Sequence, residues 1–102
     1  DVLVHEATFD DAHEEQASAY GHSTARQAAH VGVAMGARLV ALNHFSSRFQ
    51  DLSHLGDEAT EAHPNCHLLE DGDRLQIDRD GMIRVHRRNT DTWDHILDLG
   101  LE

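Results

Sequence analysis

Apolar residues in this chain come in short continuous runs separated by longer polar stretches. Residues 1–5 and 38–42 contain two such runs, and runs of this length are typical of strands buried on both faces. Between them, Ala28, Val31 and Met35 recur at the spacing of one face of a helix. The order strand, helix, strand predicts a βαβ unit with parallel strands.

Local signals predict where the helix begins and ends. Thr24 is followed three residues later by Gln27, and this pair can form a capping box that satisfies free backbone N–H groups at a helix start. Gly36 is a natural end because glycine readily adopts the left-handed conformation. Residues 43–49 are then predicted to be a loop at the carboxyl end of a strand, where α/β folds usually carry their chemistry.

The remaining segments carry weaker patterns. In chain order they predict a solvated loop with a short helix at residues 9–21, a short helix near residues 57–62, a short strand at residues 66–69 and a hairpin at residues 75–85. Asp80 and Gly81 form the expected hairpin turn. The tail from Arg87 is polar with a weak amphipathic patch around Trp93, and its pattern predicts neither a helix nor a strand.

Length and composition limit the class of protein. A chain of 102 residues with 39% hydrophobic content is long enough for one modest globular domain. No apolar run approaches the roughly 18–20 residues that cross a bilayer, so we expect no membrane partner. Cys66 is the single cysteine, which rules out an internal disulfide and fits a reducing, cytoplasmic location.

The charge balance argues against a general nucleic-acid binder. Nineteen acidic residues accompany eight arginines, lysine is absent, and the formal net charge is −11. A surface of this sign repels phosphate backbones. Any nucleic-acid substrate would therefore be held by local arginines, by a metal, or by protein outside this chain.

Candidate chemistry gathers at strand ends and at one helix start. His5 and Glu6 follow the first predicted strand, His44 follows the second, and His22 comes just before the helix. The carboxyl ends of parallel strands lie at the same edge of a sheet, and a helix N-terminus favours anions. The sequence therefore predicts imidazoles and a carboxylate gathered at one place, where a phosphate can bind.

Three segments in this order resemble a known family. HEATF at residues 5–9, GHSTARQAA at 21–29 and LNHFSSRF at 42–49 are similar to the C-terminal region of ribonuclease Z, of the metallo-β-lactamase superfamily, which trims the 3′ ends of precursor tRNAs. PNCHLLEDG at residues 64–72 resembles the closing strand of that family.

The resemblance covers about residues 1–78 and implies an α/β fold, the C-terminal half of a metallo-β-lactamase αββα sandwich. Residues 79–102 have no recognised counterpart and are expected to be an extension of unassigned role.

The resemblance also implies roles for individual residues. His44 matches the imidazole ligand that closes a site for two zinc ions, or other divalent metals. His22 matches the catalytic histidine that assists departure of the 3′-oxygen, and Glu6 matches the catalytic glutamate beside it, which favours the protonated ring. Two further groups are implied: His5, Ser23 and Thr24 in support, and Ser46 and Arg48 in contact with the substrate phosphate.

One part of the family pattern is missing from this sequence. The HxHxDH motif, which supplies most metal ligands and the general base, does not occur among the 102 residues. We therefore expect the chain to be a fragment or one piece of a longer polypeptide, inactive by itself. The implied partners of the whole enzyme are precursor tRNA and a second copy of the enzyme.

Two alternatives stay open. One is another metallo-β-lactamase-fold phosphodiesterase that acts on a small or cyclic nucleotide. The other belongs to a different class, a non-catalytic acidic module that binds a metal or a partner through its histidines, and the net charge of −11 favours it mildly.

Overall fold

The computed structural model describes residues 2–89 and 92–100. Its elements in chain order are β1 (Val2–Glu6), a 3-10 turn (Asp11–His13), α1 (Glu14–Tyr20), α2 (Ala25–Met35), β2 (Leu39–Asn43), α3 (Ser53–Ala62), β3 (Cys66–Leu68), β4 (Arg74–Ile77), β5 (Ile83–Asn89) and β6 (Thr92–Leu99). In this part of the chain, no helix combines the length and the hydrophobicity that a membrane span requires.

The chain divides into two compact units between residues 69 and 70. The predicted boundary at residue 78 concerns resemblance to the family rather than compactness, and it stays a prediction. Asp1, the first residue of the first predicted strand, lies outside the described residues.

The first unit is built on a parallel sheet in the order β1-β2-β3. The register aligns Val4 with Ala41 and Ala41 with His67. Helix α2 lies between β1 and β2 in the chain, and α3 lies between β2 and β3, so the predicted βαβ unit is confirmed and repeated once. The central strand is fully buried from Leu39 to Leu42, as its continuous apolar sequence indicates.

The ends of α2 are those that the sequence predicts, but its buried face is different. The Thr24 side chain accepts a hydrogen bond from Gln27 N, the reciprocal bond of the capping box is present, and Gly36 ends the helix with φ 70°. Val31 and Met35 are exposed, so they do not form the buried face that their spacing suggests.

The face of α2 that is buried carries Ala25, Ala28, Ala29 and Gly32. These small residues allow the helix to lie close to the sheet, and Gly32 lies directly over the side chain of Val40. Such close approach explains why the largest apolar residues of α2 point outward: they would not fit between the helix and the strand.

The core of the first unit lies between the sheet and the two longer helices. Its buried members are Ala7, Ala25, Ala28, Ala29, Val40, Leu42, Leu55 and Ala59. Phe45 and Phe49, from the loop after β2, pack against this cluster. The loop that carries His44 is therefore anchored by two aromatic side chains rather than left free in solvent.

Helix α3 begins at Ser53, earlier than the predicted start near residue 57. Asp51 Oδ1 accepts a hydrogen bond of 2.9 Å from Ser53 N, which satisfies one of the free N–H groups at the helix start. The earlier start brings Leu55 into the helix, where it is fully buried. Strand β3 begins at Cys66 as predicted and ends one residue earlier, at Leu68.

The second unit is an antiparallel sheet in the order β4-β5-β6. The predicted hairpin is confirmed: Asp78 N donates to Met82 O at 2.8 Å, and Gly81 adopts φ 88° in the turn. Strand β6 corrects the prediction, because the sequence pattern indicates neither a helix nor a strand in the tail. Its side chains are mostly exposed, and it is held by main-chain pairing with β5, which a polar sequence does not reveal.

Candidate functional site

Three predicted site residues meet at the carboxyl edge of the parallel sheet. Glu6 is the last residue of β1 and pairs with Asn43, the last residue of β2. His44 therefore follows directly beside Glu6. His22 is brought to the same place because Phe9 forms a parallel bridge with Thr24. One ligand atom from each of Glu6, His22 and His44 lies within 4.8 Å of the others.

The Glu6 carboxylate is held by three hydrogen bonds. Oε1 accepts from Ser23 N at 2.5 Å, and Oε2 accepts from Thr8 N at 3.1 Å and from Thr8 Oγ1 at 2.6 Å. Burial acts to raise the pKa of Glu6, but these hydrogen bonds together with the charge of His22 outweigh burial, so the pKa lies below its ordinary value. Glu6 is therefore an ionised carboxylate at neutral pH.

The two imidazoles lie against each other and beside this carboxylate. The rings of His22 and His44 are stacked, with centroids 5.3 Å apart and an interplanar angle of 21°. His22 Nδ1 is 3.6 Å from Glu6 Oε2, and Phe9 presents an edge-on contact to His22 at 6.2 Å between centroids. Two nitrogen bases and one negative charge thus share a small volume at the end of the sheet.

His44 adopts an unusual backbone conformation. Its φ is 58°, and it is the one positive φ at a non-glycine residue among the described residues. Such a conformation is uncommon outside glycine and concentrates at functional sites. It turns the chain sharply after β2, and His44 Nδ1 then lies 2.8 Å from Thr8 Oγ1.

Thr8 is a site residue that sequence reasoning missed. Its hydroxyl contacts Glu6, His22 and His44 together, and the residue is buried. The only signal in the sequence is its place in the HEATF segment, two residues after Glu6. Spacing alone does not distinguish this hydroxyl from an ordinary buried threonine.

The predicted supporting residues have structural rather than chemical positions. His5 Nδ1 contacts the carbonyl oxygen of Glu6 at 2.8 Å, and as the neighbour of Glu6 in a strand it points to the opposite face. Ser23 takes part through its backbone N–H. Thr24 is buried and caps α2. Of these three, only Ser23 touches the carboxylate–imidazole cluster among the contacts described.

The predicted phosphate-contacting residues lie next to the cluster, in the loop after β2. Ser46 N donates to Thr8 O at 2.9 Å, and Ser46 Oγ is 3.3 Å from both N and Nε of Arg48. The Arg48 guanidinium carbon lies 5.2 Å from the centre of the Phe9 ring, the ring that also contacts His22. The loop therefore places the Arg48 cation over the ring that contacts His22.

The donor groups fit a metal ion in part. Imidazole nitrogen is a good zinc ligand, and a metal-bound histidine usually has its second ring nitrogen hydrogen-bonded, as His44 Nδ1 is. Both oxygens of Glu6 are already engaged as acceptors, so Glu6 is less suited to bind the metal directly. His44 fits as one ligand of a site that needs further ligands.

Comparison with curated proteins relates the chain to a class of ribonucleases. The relatives are ribonucleases, and this relationship implies the metallo-β-lactamase fold. Together with the helices and sheets of this chain, it confirms the predicted α/β fold class. They carry the name ribonuclease Z and come from Streptococcus pneumoniae, among them strains CGSP14, G54 (serotype 19F) and ATCC 700669. Each is 43% identical to this chain over 79 residues, which are 76% of the chain and 26% of the relative.

The resemblance to ribonuclease Z that the three motifs indicate is therefore confirmed. The chain spans about a quarter of the length of the curated relatives it matches. No family model matches the chain.

Proposed function

We propose that this chain is the C-terminal part of a zinc-dependent endoribonuclease that removes 3′ trailers from precursor tRNA. The observation that carries the proposal is the cluster of Glu6, His22 and His44, whose ligand atoms lie within 4.8 Å of one another. These residues come from the three segments that resemble ribonuclease Z. The 43% identity to proteins of that name supports the same assignment.

His44 is the residue of this chain that would hold the metal, through Nε2. When bound, zinc would stabilise negative charge on the phosphodiester and make a water molecule more nucleophilic. The chain itself contributes the orientation of the ring, which the hydrogen bond of 2.8 Å between His44 Nδ1 and Thr8 Oγ1 holds in place.

His22 would act on the leaving group. In the proposed reaction water attacks phosphorus and loses a proton to the general base that the HxHxDH motif would supply. The bond from phosphorus to the 3′-oxygen breaks, and His22 gives a proton to that oxygen or stabilises the charged phosphate. Glu6, 3.6 Å from His22 Nδ1, offsets the positive charge on the protonated ring. The products are a tRNA with a 3′-hydroxyl and a trailer with a 5′-phosphate.

Arg48 and Ser46 would bind the substrate phosphate. A chain of net charge −11 does not attract RNA as a whole, so a positive charge near the cluster has to act locally. Arg48 is exposed and lies over Phe9. This position leaves its guanidinium next to the ring that contacts His22.

We expect these 102 residues to cleave no RNA on their own. The HxHxDH motif is not in the sequence, and one histidine does not hold two zinc ions, because such sites need several converging ligands. From the resemblance of this chain to ribonuclease Z, we also infer that the whole enzyme is cytoplasmic and forms a homodimer.

The test uses the full polypeptide that contains this chain, obtained from the surrounding coding sequence. An in-frame HxHxDH motif is expected. The purified protein should contain zinc and cleave a precursor tRNA at the 3′ end. His22→Ala should lose turnover and keep its zinc, whereas His44→Ala should lose both. His30→Ala is the matched control because His30 is exposed on α2, and it should behave as the unaltered protein.

Each alternative has its own signature in the same assay. The acidic charge favours a small substrate over RNA, so cleavage of a cyclic nucleotide with no cleavage of tRNA would support the other phosphodiesterase. Absence of any in-frame ligand motif, with metal bound and nothing cleaved, would overturn the catalytic proposal in favour of a binding module.

A further inference from the structure

Thr8 lies at the centre of the cluster and is held there at three points. Its backbone N–H donates to Glu6 Oε2 at 3.1 Å, and its carbonyl accepts from Ser46 N at 2.9 Å. Its hydroxyl oxygen lies 2.6 Å from Glu6 Oε2. Because the residue is only 5% exposed, water does not compete freely for these bonds.

The same hydroxyl oxygen faces one nitrogen of each imidazole. Thr8 Oγ1 is 2.8 Å from His44 Nδ1 and 3.3 Å from His22 Nδ1. A threonine hydroxyl has one proton to donate and two lone pairs that accept. Three partners therefore share one proton and two lone pairs, which fixes the direction of every bond.

The single hydroxyl proton points to Glu6. An ionised carboxylate can only accept, and its distance of 2.6 Å is that of a charge-assisted O–H···O bond. The oxygen then offers only lone pairs to the rings, so each ring has to present Nδ1 as a donor. For His22 the second neighbour leads to the same result, because Nδ1 also lies 3.6 Å from Glu6 Oε2, another acceptor.

We propose that Thr8 is a positioning residue that sets the tautomer of both imidazoles, with the proton on Nδ1 and Nε2 left free. This inference rests on the proposed function for its consequence in catalysis. A bare Nε2 is the form that binds a metal at His44. At His22, a neutral ring with its proton on Nδ1 takes up a second proton at Nε2, and this is the proton that the charged ring can give to the 3′-oxygen.

Two variants separate this role from a packing role. Thr8→Val keeps the shape of the side chain and removes the oxygen, whereas Thr8→Ser keeps the hydroxyl and removes a methyl group. His30, exposed on α2, serves as an internal reference ring. Circular dichroism of each variant checks that the fold is retained.

The first readout is the nitrogen NMR spectrum of the ¹⁵N-labelled 102-residue chain. In spectra recorded at about pH 8.5, the neutral rings of His44 and His22 should both show a protonated Nδ1 and an unprotonated Nε2. Thr8→Val should move the His44 ring to a mixture of tautomers and should affect His22 less, because Glu6 Oε2 still lies 3.6 Å from His22 Nδ1. Thr8→Ser should preserve the original state, and His30 should not respond. A neutral His44 ring with its proton on Nε2 in the unaltered chain would overturn the proposal, and so would a His44 tautomer that Thr8→Val leaves unchanged.

The second readout is the zinc affinity of the full polypeptide. Loss of a hydrogen bond to a metal-binding histidine typically weakens metal affinity by about 10–100-fold. We therefore expect Thr8→Val to lower the zinc affinity by a factor in that range and Thr8→Ser to leave it close to that of the unaltered protein. If Thr8→Val does not fold, the spectra of the unaltered chain and of Thr8→Ser still decide. If the full polypeptide cleaves no precursor tRNA, the proposed function is wrong, but the NMR result on the tautomers still tests the role of Thr8.

Discussion

Glu6 Oε1 accepts a hydrogen bond of 2.5 Å from the backbone N–H of Ser23. The bond joins the end of β1 to the residue before the cap of α2, across 17 positions of sequence. Glu6 therefore has a structural task besides its proposed chemistry: it ties the segment that carries His22 to the edge of the sheet.

Removal of the Glu6 carboxylate should destabilise the chain. Glu6→Ala leaves Ser23 N, Thr8 N and Thr8 Oγ1 without the acceptor they share. A buried donor without a partner costs about 1–3 kcal/mol, so we expect a loss of roughly 2–3 kcal/mol in the free energy of unfolding, measured by urea denaturation.

Glu15→Ala is the matched control for this loss. Glu15 is exposed on α1, and substitutions at such sites usually change stability by less than about 0.5 kcal/mol. Equal urea midpoints for Glu6→Ala and Glu15→Ala would show that the hydrogen bonds of Glu6 add nothing measurable to the fold.

The members of the cluster could be predicted because each follows a regular element. Glu6 and His44 come at the ends of neighbouring parallel strands, and His22 precedes a helix whose cap is readable from Thr24. Their reaction roles stay predictions. The contacts of the Thr8 hydroxyl with this cluster could not be predicted, because they depend on the left-handed backbone conformation of His44, which no local pattern specifies.

The fold was predictable where burial determines the sequence. Strand β2 is apolar and buried from Leu39 to Leu42, whereas β6 is mostly exposed and shows no such pattern. Helix α2 was predictable only in part. Its caps determine where it begins and ends, but Val31 and Met35 have the same periodicity as the buried alanines. Only the close approach of Gly32 to Val40 decides which face is buried.

The close approach of Gly32 to Val40 predicts that substitution by alanine lowers stability at position 32, in contrast to Gly56, which has more space around it. In Gly32→Ala the new methyl group would collide with Val40 Cγ2, a side chain fully buried in the central strand. Overpacking of this kind costs about 1–3 kcal/mol, more than the gain in helix propensity of about 1 kcal/mol. We therefore expect a lower thermal midpoint for Gly32→Ala.

Gly56→Ala is the matched comparison on α3. A methyl group there meets Leu68 Cδ1 at 3.5 Å, which is ordinary contact, so the variant should gain about 0.5–1 kcal/mol. The double variant Gly32→Ala with Val40→Ala should recover part of the loss caused by the collision. A thermal midpoint for Gly32→Ala above that of the unaltered chain would refute the packing described for α2.

A second carboxylate makes the stability of the first unit depend on pH. Asp10 Oδ1 lies 2.5 Å from His13 Nδ1, and Oδ2 lies 2.9 Å from His54 Nε2, so Asp10 joins the 3-10 turn to α3. Burial acts to raise the pKa of Asp10, but the hydrogen bonds from both histidines outweigh burial and hold the pKa below its ordinary value. The folded chain therefore binds this proton less readily than the unfolded chain does.

The sign of the pH effect follows from that lowered pKa. The stabilisation by Asp10 is present above the unfolded pKa of about 3.9 and is lost as the pH falls through the lower pKa of the folded state. Asp10→Asn should cost about 1–3 kcal/mol near pH 5, and the difference should shrink below about pH 4. Urea denaturation from about pH 3 to pH 5 measures this, with exposed Asp57→Asn as control. A difference independent of pH would contradict the ionic role of Asp10.

Cys66 should be chemically quiet in the folded chain. Burial raises the pKa of its thiol to about 11, and the thiol donates a hydrogen bond of 3.2 Å to the carbonyl oxygen of His63. Only the thiolate reacts with alkylating agents, and only the thiolate binds zinc well. The thiol should therefore serve as a packing group of β3 and take no part in metal binding.

Iodoacetamide labelling at about pH 8 tests this directly. A thiol of ordinary pKa near 8.5 is partly ionised at that pH, so Cys66 should react about two orders of magnitude more slowly in the native chain than in guanidinium chloride. The unfolded chain is the control for reagent and pH. Native labelling at the unfolded rate would mean that the thiol is ionised and accessible, which would contradict its role as a packing group.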